Sequence, residues 1–279
     1  MTGLRQSHSL VPLLSASGLP RSVYYYWAKA AEEASYAAEK QAITRIFHEH
    51  RGRYGYRRVT LALKALGQPL NHKTVQKLMG QLNLKSLVRP KRYQSYKGQV
   101  GRVADHLLCR NFTASHPNEK WVTDVTEFNI RGEKVYLSPI LDLYNQEIVS
   151  FEVDARPHYG MVQKMLDTAI GRLSPTQTPM IHSDQGWQYQ MTNFRHKLKE
   201  HGLTQSMSRK GNCLDNAVME NFFGILKSEF FYTQRFDSVA SFIAGLKEYI
   251  HYYNHDRIKQ KLKGLSPVNY RTQASLAPA

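Results

Sequence analysis

Three carboxylates, Asp124, Asp184 and Glu220, occupy three different local settings in this chain. Thirty-five residues lie between Asp184 and Glu220, and Lys227 follows Glu220 by seven. Asp124 falls inside Trp121-Val122-Thr123-Asp124-Val125-Thr126-Glu127-Phe128, whose alternating, β-branched pattern predicts a strand. Asp184 follows the apolar pair Met180-Ile181 and opens Asp184-Gln185-Gly186-Trp187, where a strand gives way to a loop. Glu220 sits in a stretch of helical periodicity running from Asn216 to Lys227. Carboxylates brought together without a cation repel until one takes up a proton. Mg²⁺ removes that conflict, because it accepts hard oxygen ligands and keeps positions open for water and phosphate. Two such ions about 3.5–4 Å apart can serve the attacking and the leaving oxygen of an in-line displacement. The chemistry implied is phosphodiester cleavage or transfer on nucleic acid.

Asn216, Glu220, Gly224 and Lys227 recur at i, i+4, i+8 and i+11 and share one helix face. Gly224 leaves room beside the acid for a sugar-phosphate backbone, and Lys227 and Asn216 are placed to touch it. Phe222, Phe223, Ile225 and Leu226 supply the packing that keeps the acid in position. Asp215 reads as the cap of this helix. His182, just ahead of Asp184, is either a metal or phosphate contact or a satisfied histidine behind the acid. Gly186 permits the tight turn that exposes Asp184. His251 and His255 have an i, i+4 zinc spacing but lack the neighbouring Glu of a metalloprotease helix. His48 and His50 fall on different faces and carry no signal.

The elements that must hold these residues follow from periodicity. Strands are predicted over 120–130, 135–141 and 146–153, with Arg131-Gly132-Glu133 and Leu143-Tyr144-Asn145 as turns. A helix over 158–173, a strand over 180–183, a helix over 192–201 stopped by Gly202, and a strand over 203–206 come next. Helices over 215–230, which carries Glu220, and 239–255 complete the series. The class is α/β: a mixed five-stranded sheet with flanking helices, in the order of a ribonuclease-H-like core.

An all-α region precedes this core. Helices are predicted over 39–50, 56–66 and 72–82, with Gly67 closing the second and Asn71 capping the third. His72, Lys73, Gln76 and Lys77 face outward on the third, as in a helix-turn-helix that enters a major groove. Arg57 and Arg58, after the turn Tyr54-Gly55-Tyr56, add positive charge. A basic connector follows, with Lys91 and Arg92 among cations interleaved with Tyr93 and Tyr96, a combination that binds phosphate and stacks on bases. The domains expected are a helical segment 1–38, a helix-turn-helix 39–84, a linker 85–115, a catalytic core 116–232 and a helical tail 233–279.

Charge supports that division. The 279 residues carry a formal net charge of +16, of which residues 1–115 hold +14 (19 Lys+Arg against 5 Asp+Glu) and the rest +2. A basic front half joined to a nearly neutral back half points to a nucleic-acid-binding region attached to something else. Two distant cysteines, Cys109 and Cys213, exclude a disulfide framework and a zinc finger. No apolar run approaches the ~20 residues that span a bilayer, so a cytoplasmic protein without membrane contact is expected.

Together these residues resemble the DDE transposase/retroviral integrase superfamily. Within it they resemble most the second-frame (OrfB) transposase of the bacterial insertion-sequence-three family. The resemblance is carried by Tyr24-Tyr25-Tyr26-Trp27, Tyr54-Gly55-Tyr56-Arg57-Arg58, Trp121-Val122-Thr123-Asp124, His182-Ser183-Asp184-Gln185-Gly186, Asp215-Asn216-Ala217 with Glu220, and Leu226-Lys227. Tyr253-Asn254 with Arg257, and Gly264-Leu265-Ser266-Pro267 with Tyr270, extend it through the tail. It implies DNA strand cleavage and joining at the terminal inverted repeats of the element. Asp124 would bridge two Mg²⁺ ions, with Mn²⁺ able to substitute, and Asp184 and Glu220 would each hold one. It also implies a homo-oligomer that pairs two ends, target DNA as second substrate, and an upstream-frame (OrfA) partner joined by frameshifting. The tail departs from the family pattern at Asp256 and Gln260. Two other readings compete. A ribonuclease-H-type nuclease that does not join would need a further acid, for which Glu152 is the candidate. The other is a non-catalytic DNA-binding regulator.

Overall fold

The chain divides at Ser86 and Leu87 into two units in a computed structural model that describes residues 7–27, 36–88, 104–109, 111–209 and 213–276. Lys91, Arg92, Tyr93 and Tyr96 of the connector, and residues 28–35 of the helical segment expected over 1–38, lie outside the described residues. The first unit is helical. Helix α1 (Leu10–Ser17) and helical residues 21–27 bury Leu10, Leu14 and Tyr24 together and leave Tyr25, Tyr26 and Trp27 exposed. Helices α2 (Ala37–Glu49), α3 (Tyr56–Ala65) and α4 (His72–Gln81) pack on one another through Ile43, Ile46, Val59, Leu63, Val75 and Leu78. Asn71 caps α4 as expected, its Oδ1 accepting the Lys73 N–H at 2.9 Å. Gly67, at φ +75°, closes the turn after α3. In the turn between α2 and α3, fully buried Tyr54 stacks on His50 at 3.7 Å, and the Arg58 guanidinium lies 5.4 Å from its ring centre.

The second unit is built on one sheet. Residues 120–130, expected as one strand, form two: β1 (Lys120–Thr123) and β2 (Thr126–Ile130). Both pair antiparallel with the same edge of β3 (Glu133–Asp142), and the register of one continues that of the other. A single strand is therefore interrupted at Asp124-Val125. Arg131 and Gly132, both at positive φ, form the two-residue hairpin turn from β2 to β3. Strand β4 (Ile148–Asp154) pairs with the other edge of β3. Strand β5 (Met180–Ser183) runs parallel to β1, and β6 (Thr204–Met207) parallel to β5. Six strands thus fill five positions, β4, β3, β1/β2, β5, β6, which is the mixed sheet expected.

Helices α5 (Tyr159–Ile170), α6 (Trp187–Gln190, one turn) and α7 (Thr192–Glu200) pack against one set of strand side chains. Helices α8 (Ala217–Glu229) and α9 (Val239–His255) pack against the other. Alternation along β1 sends Trp121 into the first core and Val122 into the second. Helix α10 (Pro267–Leu276) follows α9. Asn254, at the end of α9, accepts the Ile148 N–H at 2.9 Å and donates to the Ile148 carbonyl at 3.0 Å, tying the tail to the first residue of β4. Buried Arg257 donates to both oxygens of buried Glu229, at 2.6 and 2.7 Å. Residues 104–109, read from sequence as part of the connector, run beside β6: Met207 N–H donates to the Asp105 carbonyl, and Leu108 N–H to Ser206 Oγ at 3.1 Å.

Candidate active site

Asp124 occupies the gap between β1 and β2. Freed from the ladder, its carboxylate accepts the Val125 N–H at 2.7 Å through Oδ1 and Asn216 Nδ2 at 3.2 Å through Oδ2. Asp184 follows β5, and its Oδ1 accepts the Gly186 N–H at 2.8 Å. A Cβ on Gly186 would lie 2.9 Å from that same oxygen, so the turn admits glycine and nothing larger without displacing the acid. Glu220, half-buried, enters from the first turn of α8, one helical turn beyond Asn216. Gly224 has open space where its side chain would be. The Lys227 ammonium lies 5.3 Å from the Phe128 ring centre.

Electrostatics bind these groups into one site. Burial pushes the Asp124 carboxyl well above the usual carboxylate range, and the negative charges of Asp184 and then Glu220 push it further; the Val125 N–H and Lys227 oppose the shift. Burial also raises Asp184, against the Gly186 N–H, and raises Glu220. Lys227 is lowered by burial and held back by the charges of Glu127 and Asp124. Tyr189, fully buried, lies beneath: its hydroxyl is 3.4 Å from Thr123 Oγ1, and burial followed by the charges of Asp124 and Asp184 raises its pKa. Every acid here is driven toward its protonated form, first by burial and, for Asp124, also by the charges of its neighbours. That is the condition a divalent cation relieves, so the residues fit a hard cation with oxygen ligands. Among the described residues, no three His, Cys, Asp or Glu side chains stand close enough as they lie to enclose an ion.

His182 stands apart from this chemistry. It is fully buried with Nδ1 2.8 Å from Ser206 Oγ and Nε2 3.1 Å from Ser208 Oγ. Ser208 Oγ donates to the Ser183 carbonyl, so Nε2 carries the hydrogen and Nδ1 accepts. Burial first, then neighbouring His106, lowers its pKa to about 4, leaving a neutral ring. Its role is to hold the strands behind Asp184. Asp215 does not cap α8: it lies in a 3₁₀ turn (Cys213–Asn216), and its buried carboxylate takes Arg209 instead. Asn216 occupies the cap position without a side-chain cap bond, because its amide is turned to Asp124. Glu152 lies on β4 opposite Ser138, half-buried. The exposed rings of His251 and His255 stack at 4.4 Å.

In the helical unit, His72, Lys73, Gln76 and Lys77 lie exposed on α4 while Val75, Leu78 and Met79 are buried. Arg57 is exposed and Arg58 half-buried on α3. Tyr189 and Arg209 were not singled out from sequence. The tyrosine's place in Gln188-Tyr189, just after the acid, was the available signal; Arg209 offered none.

Residues 35–92 match the HTH-like domain, and residues 114–213 and 220–274 match two models described as Integrase core domain. The putative transposase InsK for insertion sequence element IS150 of Escherichia coli K12 is 55% identical over 271 residues, covering 97% of this chain and 96% of that protein. The transposase for insertion sequence element IS904 of Lactococcus lactis is 32% identical over 232 residues, covering 82% and 92%. Among solved structures, a simian T-cell lymphotropic virus intasome in complex with PP2A regulatory subunit B56 gamma aligns at TM-score 0.49 and 18% identity, covering 78% of this chain and 72% of that one. The chain belongs to the insertion-sequence transposases, enzymes of the DDE type with an HTH-like region and an integrase core.

Proposed function

We propose that this transposase cuts and joins DNA strands at the terminal inverted repeats of its own element, using Asp124, Asp184 and Glu220 to hold two Mg²⁺ ions, which Mn²⁺ can replace. The observation that carries the reading is that buried Asp124, at a strand break, feels the charges of Asp184 from a strand end and Glu220 from a helix. When bound, the metal ions supply activation of the attacking hydroxyl and neutralisation of the departing oxygen. Asn216 keeps the Asp124 carboxylate oriented by donating to Oδ2, leaving Oδ1 to the Val125 N–H. Lys227, half-buried and drawn toward Asp124 and Glu127, offers a cation to a phosphate beside the scissile bond. The open space at Gly224 gives the sugar-phosphate backbone its approach.

DNA ends are held by the exposed α4 face of His72, Lys73, Gln76 and Lys77, with Arg57 and Arg58 on the neighbouring helix and Lys91 and Arg92 in the connector. The division of labour is a helical segment over 1–38, end recognition over 39–84, a basic link over 85–115, catalysis over 116–232 and a supporting tail over 233–279. Two or more copies pair the ends, an upstream-frame partner contributes to the active form, and the enzyme works in the bacterial cytoplasm on the nucleoid. No described helix is long and apolar enough to cross a membrane.

A labelled element-end oligonucleotide incubated with Mg²⁺ and target DNA tests the proposal. The wild-type chain yields both cleaved and joined strands; Glu220→Gln binds the end but yields neither. Cleaved strand without joined product from the wild type, or unchanged products from Glu220→Gln, overturns it.

A further inference from the structure

The buried carboxylate of Asp215 does not touch the three acids, yet the chain leading to two of the site's groups is fastened through it. Arg209, just past β6, donates to it three times: backbone N–H to Oδ2 at 3.1 Å, Nε to Oδ2 at 3.1 Å, and Nη2 to Oδ1 at 3.2 Å. His106 comes from the segment beside β6. Its Nδ1 faces the Met207 carbonyl at 3.2 Å and so bears the hydrogen; its Nε2, 3.6 Å from Asp215 Oδ2, makes no hydrogen bond among the described residues. Asp215 is 0% exposed and the Arg209 side chain 56%, so the clamp is anchored inside and closed from outside. The next residue, Asn216, gives its amide to Asp124, and Glu220 lies one turn further along α8.

We propose that Asp215 is a positioning residue for strand cutting: by holding Arg209 on one buried carboxylate, it fixes the turn that aims Asn216 at Asp124 and sets the start of the Glu220 helix. A bidentate guanidinium pair with an added backbone N–H is a rigid three-point fastening, and a negative charge of no use to capping needs another reason to be buried. The inference rests on the proposed roles of Asp124 and Glu220, with Asp215 acting through them.

Arg209→Ala tests it, since an exposed arginine can be removed without opening the core; Asp215→Asn is the companion that keeps shape and loses charge. Amide hydrogen exchange of the full chain without metal or DNA reads the fastening apart from chemistry. Exchange should accelerate about 10-fold or more at 215–221 in Arg209→Ala, with β1, β3 and β5 unchanged. The single-turnover cutting rate at saturating end DNA and Mg²⁺ should fall about 10- to 100-fold with end affinity unchanged. Combined with Asn216→Ala, Arg209→Ala should add less than about 3-fold, because both act through one orientation. Unchanged exchange at 215–221, exchange raised equally throughout the sheet, or full additivity with Asn216→Ala overturns the assignment. Loss of cutting in Glu220→Gln with unchanged exchange in Arg209→Ala would sink this inference and leave the proposed function standing.

Discussion

Replacing Arg257 by alanine should be among the most destabilising single changes in the second unit. Its side chain is 3% exposed and that of Glu229 is 2%, and the two share hydrogen bonds of 2.6 and 2.7 Å, with the Tyr249 hydroxyl donating to the same carboxylate at 3.1 Å. Burial works against the guanidinium's charge, but hydrogen bonding and charge from Glu229 outweigh it and leave the arginine's pKa raised. Removing one partner of such a pair strands a buried charge and costs about 3–5 kcal/mol. For a unit of this size each kcal/mol moves the midpoint by about 2–4 °C, so the midpoint should fall roughly 6–20 °C. Glu229 is on α8 nine residues after Glu220, about 13 Å along the axis, so cutting should weaken along with stability. The assay is thermal unfolding of Arg257→Ala, Glu229→Gln and the Glu229→Gln/Arg257→Met pair. The double variant should recover part of the loss, because no charge remains buried alone. A fall below about 2 °C for Arg257→Ala, or strictly additive single effects, refutes the reasoning.

Three other perturbations have defined outcomes. Gly186→Ala places a Cβ 2.9 Å from Asp184 Oδ1 and should lower cutting about 10- to 100-fold with a midpoint close to wild type, read by single-turnover cleavage and thermal unfolding together. Asp142 is raised by burial to about 6 from 3.8. The folded state thus holds its proton more tightly, and the stability this contributes is full below about pH 4 and lost as pH rises through about 6. Asp142→Asn should flatten that decline by about 3 kcal/mol, measured by denaturant unfolding from pH 4 to 7; an unaltered slope would exclude it. Lys73→Ala should weaken binding of end and unrelated DNA alike and reduce the salt slope of log K by about 0.9, while Gln76→Ala should weaken end DNA selectively.

Strand order and helix faces were legible because burial repeats with the period of the backbone. Val75, Leu78 and Met79 turn inward on α4, and 180–183 is a strand from end to end, as the apolar spacing required. The break at Asp124 was not, because Thr-Asp-Val-Thr continues the β-branched pattern and only the carboxylate's bond to the Val125 N–H marks the interruption. Asp215 was misread as a cap because Asp before an apolar run is a cap signal; its true partner, Arg209, lies before it in sequence and offers no pattern. His182 could not be decided from sequence, since a buried histidine between serines and a metal-side histidine look alike until Ser206 and Ser208 are in place. Glu229 and Arg257 are 28 residues apart and were invisible as a pair for the same reason: long-range ion pairs leave no periodic trace.

Anomalous scattering from Mn²⁺ in crystals of the chain bound to an element-end duplex measures the central claim most directly. The account predicts two peaks about 3.5–4 Å apart, with Asp124 oxygens contacting both, Asp184 one and Glu220 the other. A single peak elsewhere, or peaks that leave Glu220 outside the coordination of either ion, would contradict it.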